Sequence, residues 1–351
     1  VDVATTAARA RRVAFALFAL IATVLSGAAG GCQRHRQGPA PVRIGYFANL
    51  SHAQAVLGVS SGDFARAVLP AKLETRVFNA GPSLIEALFA GEIDIGYVGP
   101  GPATGAYGKS HGEGIRVIAG AAANGVVVVA RAGSGIVTMR DLAGRRIATP
   151  QLGNTQDVSA RHFALRTLEQ KDAKNVVPIE NQQQAAMLAR GDVDAAWVPE
   201  PWGQRLIAEA GATLLAEEKD LWPAKVFPLT VVVTTPEFLA ARPDVVSAML
   251  AAHRTWTARL TEAPEAHVDA LGDALLTLTG RRLDAAVLRP ALHRVKFTDD
   301  PQEDSLRTFS QWTHDLGFDR GSPDVTHLVD RTLLNRLIAA RAQASANANA
   351  P

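Results

Sequence analysis

The sequence predicts an α/β protein of two similar lobes, each a mostly parallel sheet flanked by helices, with a cleft between them. Three observations carry that prediction. "AGEIDIGYVGPGP" at 90–102 returns in variant form as "ARGDVDAAWVPEP" at 189–201, with Gly91 and Gly191, Asp94 and Asp194, and Val98 and Val198 each 100 positions apart. Strand-like and helix-like segments alternate through the first copy and then restart in the same order, the pattern of strands joined by helical crossovers. Two valine-rich runs, "GVVVVAR" at 125–131 and "LTVVVTT" at 229–235, bracket the second copy, and unbroken β-branched runs suit strands buried on both faces.

The elements follow in order. "PVRIGYF" (41–47) reads as a strand, "NLSHAQAVLGVSSGDFARAV" as a loop and helix, "LETRVF" as a strand, "GPSLIEALFAG" as a helix, "IDIGYV" as a strand, "PGPATGAYGK" as a loop into a helix, and "IRVIAGAA" as a strand. The second round runs through "RRIATP", "LGNTQDVSARHFALRTLEQ", "NVVPI", "NQQQAAMLARG", "VDAAWV" and "PEPWGQRLIAEAG". Both copies end a helix on glycine, which takes the left-handed conformation without steric cost, and turn at once into a short strand. Asp94 and Asp194 read as parts of that turn. The valine runs are expected to be the two crossings between lobes, giving a first lobe over 42–128, a second over 129–231, and a mostly helical return to the first over 232–340. Residues 341–351, small and polar, read as a disordered tail.

A chain of 351 residues with 47% hydrophobic content has enough apolar side chain for two domains. Its net charge of +2 gives no electrostatic footprint for nucleic acid. At the start, Arg9, Arg11 and Arg12 precede an apolar run at 13–25 and the small residues "SGAAGGC", which reads as a secretory signal over 1–32 and is too short for a permanent membrane span. The single cysteine, Cys32, falls where that signal would be cut. Its setting resembles a lipobox, with Ala29 where leucine is common, and implies lipidation of Cys32. Residues 33–41 then read as a linker. With one cysteine there is no intramolecular disulfide.

The loops that face the predicted cleft are "YFANLSHAQ" (46–54), "FNAGPS" (78–83), "YVGPGPA" (97–103), "PQLGNTQD" (150–157) and "VPEPW" (198–202), rich in small polar residues and poor in Lys and Arg. Helix N-termini bind anions through backbone N–H groups without a cationic side chain, so a small anion held by neutral donors fits. Asn49, Ser51, Asn154 and Thr155 read either as ligand contacts or as helix caps, and His52 as a contact or a satisfied polar residue. Phe47, Tyr97 and Trp202 are candidate pocket walls. Glu200 either caps the helix that follows Pro201 or reaches the cleft to read an amine. No G-x-S-x-G, H-E-x-x-H, P-loop or G-x-G-x-x-G motif occurs, so no catalytic residue, metal site or cofactor is expected.

The stretches "GYFANLSHAQA", "NAGPSLIEALFAGEIDIGYVGPGPA", "DLAGRRIATPQLGNTQDV", "DAAWVPEPW", "KDLWP" and "VKFTDDP", in that order, cover nearly all of 42–318. They resemble the substrate-binding lipoproteins of ABC importers for aliphatic sulfonates, nitrate and taurine, the sulfonate branch most closely. The resemblance implies a type II periplasmic-binding-protein fold that closes on its ligand by a hinge, a membrane permease as partner, and an extracytoplasmic place held by a lipid anchor. It implies that Asn49, Ser51, His52, Gly99, Pro100, Gly101, Gly153, Asn154, Thr155, Gln156, Glu200 and Trp202 line the cleft, in a monomer. Nitrate, bicarbonate, taurine or a pyrimidine are alternative ligands, and a ligand sensor is an alternative role. Pyrimidine synthases of thiamine biosynthesis are similar in fold but use a cysteine-rich site that this chain does not carry.

Overall fold

Among the described residues, 39–222, 225–319 and 321–348, eleven strands form two sheets in this computed structural model. The first sheet takes β1 (Val42–Phe47), β2 (Leu73–Phe78), β3 (Ile95–Val98) and β4 (Arg116–Asn124). The second takes β5 (Val126–Ala130), β6 (Ile147–Thr149), β7 (Val176–Pro178), β8 (Ala195–Pro199) and β9 (Thr213–Glu217), before β10 (Pro228–Thr234) and β11 (Val295–Phe297) complete the first. The signal at 1–32 with Cys32, most of the linker, and residues 349–351 lie outside the described residues.

The predicted two-lobed α/β architecture is present, with one correction: the sheets are mixed and not mostly parallel. Their orders are β11-β4-β10-β3-β1-β2 and β7-β6-β8-β5-β9. β1 runs parallel to β2 and β3, and β6 to β7 and β8. β10 is antiparallel to β3 and β4, and β5 to β8 and β9. A helical crossover returns the chain parallel to its last strand, whereas a strand that arrives straight from the other lobe needs no such return. Those direct arrivals are the two valine runs.

β5 and β10 are buried along their whole length, so the runs are interior strands and not the crossings themselves. The first crossing is the turn at Asn124 and Gly125, with φ of +61° and +71°, a conformation that suits Asn and Gly and that β-branched residues avoid. The second lies between β9 and β10. The change of sheet therefore falls at 125 and just before 228, not at 129 and 231. The two crossings are tied together: Asn124 N–H donates to the Phe227 carbonyl at 2.9 Å, and Phe227 N–H donates to Asn124 Oδ1 at 3.3 Å.

Each sheet is covered on both faces. Leu57, Leu250 and Leu275 pack on one side of the first, and Leu84, Leu88 and Ala103 on the other. The second is held between Val158 with Phe163 and Leu188 with Leu206. The return helix Glu303–Asp315 joins both lobes, with Leu306 in a first-lobe core and Phe309 in a second-lobe core. Where a disordered tail is expected from 341, the last helix, Thr332–Ala348, continues to Ala348. Alanine, which has the highest helix propensity of any residue, stands at every second position from 340 to 348, and buried Leu334 anchors the start of the helix. No helix among the described residues is long and apolar enough to cross a membrane.

The repeat marks one structural unit used twice. Gly91 and Gly191 both take positive φ, +67° and +79°. Asp94 accepts the Arg43 N–H at 2.7 Å and Asp194 accepts the Arg146 N–H at 3.1 Å. In return, Asp94 N–H donates to the Arg43 carbonyl and Asp194 N–H to the Arg146 carbonyl, each at 2.8 Å. Each aspartate thus pins the start of its strand to the parallel neighbour, as the turn reading requires.

Candidate functional site

The site grows from the ends of β1 and β6. Beyond β1 the backbone of Asn49 is extended, and Leu50–His52 makes one tight helical turn before the helix Ala53–Ser60. Asn49 does not cap that turn. Its Oδ1 instead accepts the Ser51 hydroxyl at 2.7 Å. His52 lies 4.3 Å from the Phe47 ring between centroids, and its Nδ1 accepts the Phe47 N–H at 3.3 Å. That bond places the proton on Nε2. Burial pulls the His52 imidazole from its ordinary 6.5 to about 3, so it is a neutral donor at physiological pH.

In the second lobe, Asn154 Oδ1 accepts the Asp157 N–H at 2.9 Å and caps the helix Thr155–His162. Capping and facing the cleft coincide in this residue. Asp157, fully buried, accepts the Thr149 hydroxyl at 2.8 Å, the Gly153 N–H at 2.9 Å and Arg161 Nε at 2.8 Å. It binds the end of β6, the loop and the helix into one rigid piece. The sequence reading includes Asp157 in the loop but not among the site residues; its place three residues after the cap is the signal. Gly153 shapes this turn with φ +73° and faces Phe318. The N–H groups of Thr155 and Gln156 have no partner among the described residues, which leaves the positive end of the helix open toward the cleft.

These pieces meet. Asn49, Ser51, His52, Asn154, Thr155 and Gln156 line one cavity of about 30 Å³ together with Gly99, and none of the six polar residues is more than 5% exposed. That is room for about two waters, so the lobes are close together. Glycine makes this possible: a Cβ on Gly99 would stand 2.1 Å from Thr155 Oγ1, and one on Gly101 would stand 3.1 Å from Thr155 Cα. Gly101 N–H donates to Thr155 Oγ1 at 3.3 Å. Pro100 and Pro102 carry no N–H, so the helix Pro100–Lys109 offers few donors at its start. Gly99 lines the cavity and Gly101 serves the contact between lobes, whereas Pro100 lines neither cavity and its carbonyl accepts the Thr104 hydroxyl at 3.0 Å.

Glu200 is elsewhere. Fully buried, it accepts the Gln204 N–H at 3.0 Å and Arg294 Nη1 at 2.8 Å. Burial raises its carboxyl by more than the Gln204 N–H and Arg294 lower it. With both oxygens engaged it caps the helix Trp202–Ala210 and pairs across the lobes, and it lines neither cavity. Tyr97, a candidate wall, is a core residue whose hydroxyl meets His253 Nδ1 at 3.0 Å. Trp202 lines a second cavity of about 450 Å³ that shares Phe47 and Asn49 with the first. Asn79, Asn181 and Gln182 also line it. The last two read from sequence only as a helix; their position directly after a strand end was the available signal. Among the described residues no group of three His, Cys, Asp or Glu side chains is placed to hold a metal.

What the geometry offers is neutral donors from two lobes around a shared small space. The NMT1-like family pattern matches residues 35–272. A binding protein of Brucella abortus (strain 2308) is 30% identical over 239 residues, 65% of this chain and 70% of its own. The taurine-binding periplasmic protein of Escherichia coli (strain K12) is 28% identical over 184 residues, 51% of this chain and 54% of its own. The alkanesulfonate-binding protein SsuA from Xanthomonas axonopodis pv. citri, solved with MOPS bound, superposes with a TM-score of 0.64 at 22% identity, covering 85% of this chain and 98% of that one. The chain belongs to the NMT1-like family, and the relatives it matches there are binding proteins.

Proposed function

We propose that the chain is the extracytoplasmic substrate-binding component of an ABC importer, taking a small organic anion, first of all a sulfonate, between its lobes. One observation carries the reading: six buried polar side chains, three from each lobe, converge with an open helix N-terminus on one small cavity that holds no cationic side chain. Neutral donors in a dry site bind an anion without the strong desolvation of a buried ion pair. Ser51 donates to Asn49 and not to His52, so the site pairs no nucleophile with a base, which supports binding over catalysis. Opening pivots on the tied crossings at Asn124–Gly125 and Phe227–Pro228, and the closed form is the one a permease recognises. Cys32 carries the lipid anchor, and the protein works as a monomer.

A thermal-shift and calorimetry screen of the chain, refolded free of carried-over ligand, tests this against ethanesulfonate, taurine, nitrate, bicarbonate and a hydroxymethylpyrimidine. A ligand at roughly a hundredfold over its dissociation constant stabilises the native state by about 2.7 kcal/mol. Stabilisation by sulfonates alone supports the proposal. Stabilisation only by a neutral or cationic compound ends the anion reading. Asn154→Ala should weaken sulfonate binding by roughly tenfold, the worth of one good hydrogen bond with its cap, with the melting transition still cooperative. Unchanged affinity would place the site elsewhere.

A further inference from the structure

The cavity of about 450 Å³ beside the small one is much larger and has an apolar side and a polar one formed by Asn79, Asn181 and Gln182. Phe47, Phe78, Trp202, Leu275, Leu278 and Leu283 wall it. Leu275 and Leu278 stand one turn apart on the helix Val268–Thr279 of the first lobe, and Trp202 faces from the second with Arg205 4.4 Å from its ring centroid. The lobes already touch around this space. Gly101 meets Thr155, Arg294 meets Glu200 at 2.8 Å, and Arg281 and Arg205, one from each lobe, share Glu209 at 3.1 and 3.0 Å. Arg281 and Arg205 themselves line the cavity. These contacts set the separation of the lobes and leave the volume between them.

A cavity of about 150 Å³ holds one benzene, so about 450 Å³ leaves room for one or two rings along the Trp202 and Leu275–Leu278 side. A nitrate or taurine seated in the polar cavity would leave the Leu and Trp surfaces facing water. We propose that the larger cavity is a tail subsite, and that the substrate class is an aromatic oxyanion, a sulfonate, sulfinate or carboxylate on one or two rings. Its head takes the donors of Asn49, His52 and Asn154 with the open N–H groups of Thr155 and Gln156, and its rings lie between Trp202 and the Leu275–Leu278 face. The proposal rests on the anion reading of the small cavity and extends it to the tail.

Isothermal titration of the full chain with methanesulfonate and naphthalene-2-sulfonate tests it. The expected result is at least about tenfold tighter binding of the naphthyl compound, reduced to about threefold or less by Leu278→Gln and by Trp202→Ala, each checked for a cooperative melt. Equal affinities in the wild type, or a ratio that survives both substitutions, overturns the subsite. A neutral partner, 2-naphthalenemethanol, separates the two readings. If methanesulfonate binds and no naphthyl compound does, the anion reading stands and the tail subsite falls. If only the naphthyl compounds bind, the alcohol included, and Leu278→Gln weakens them, the tail subsite stands and the anion reading falls.

Discussion

Tyr97 on β3 and Trp197 on β8 occupy the same place in the two copies of the repeat, and each turns a polar tip into its lobe. Tyr97 meets a neutral partner, His253, whose other ring nitrogen lies 2.9 Å from the Gly120 carbonyl. Trp197 donates to a carboxylate, Glu218, at 2.6 Å, and Ser159 donates to the same group at 2.6 Å. A phenol hydroxyl both donates and accepts, so an imidazole satisfies it; an indole N–H only donates and must find an acceptor. One aromatic exchanged for another thus selects an imidazole partner in the first lobe and a carboxyl partner in the second. Burial raises the Glu218 carboxyl from 4.5 to about 7, so the second lobe carries a titration that Tyr97 does not bring to the first.

The largest expected effect tests how far the second lobe depends on buried carboxylates. Asp157→Ala removes three hydrogen bonds and leaves Arg161 without its carboxylate, and breaking a buried pair costs about 3–5 kcal/mol. Urea denaturation measures it. A loss under about 1 kcal/mol would mean that Arg161 finds water instead.

Glu218→Gln comes next. The folded state holds the Glu218 proton between 4.5 and about 7 while the unfolded chain has released it, so this stabilisation is complete below 4.5 and is lost as pH rises through 7. The wild type should lose on the order of 3 kcal/mol across that window relative to the Gln variant. His52 in the first lobe has the opposite slope: its depressed imidazole favours the fold above 6.5 and withdraws that support as pH falls toward about 3. Parallel pH profiles of wild type and Glu218→Gln would remove the contrast between the lobes.

The smallest effect compares the matched aspartates. Asp94 takes the Arg43 side chain at 2.6 and 3.1 Å, whereas Asp194 reaches Arg131 only at 3.5 Å. Asp94→Ala should cost about 2 kcal/mol and Asp194→Ala about 1 kcal/mol. Equal losses in paired denaturation curves would show that the backbone N–H bond, common to both, is all that matters.

How much of this was legible in the sequence depends on the range of each interaction. The repeat, the glycine turns at 91 and 191 and the Asn154 cap are local physics, expressed in residues a few positions apart, and the order of strands and helices follows from the same patterns. So does the gathering of Asn49, Ser51, His52, Asn154, Thr155 and Gln156 at strand ends, once two α/β lobes are assumed. The direction of β5 and β10 was not legible, because a valine run fits a parallel or an antiparallel ladder equally well. Nor was the fate of Glu200, whose partner Arg294 lies 94 positions away, or the wall that Leu275 and Leu278 build opposite Trp202. Sequence by itself determined the two lobes and the polar loops at their strand ends, since these are set by short-range backbone preferences. Only the tertiary structure decided which loops touch, which carboxylate is spent on an arginine and how much room remains between the lobes, since those follow from packing between residues that no local pattern connects.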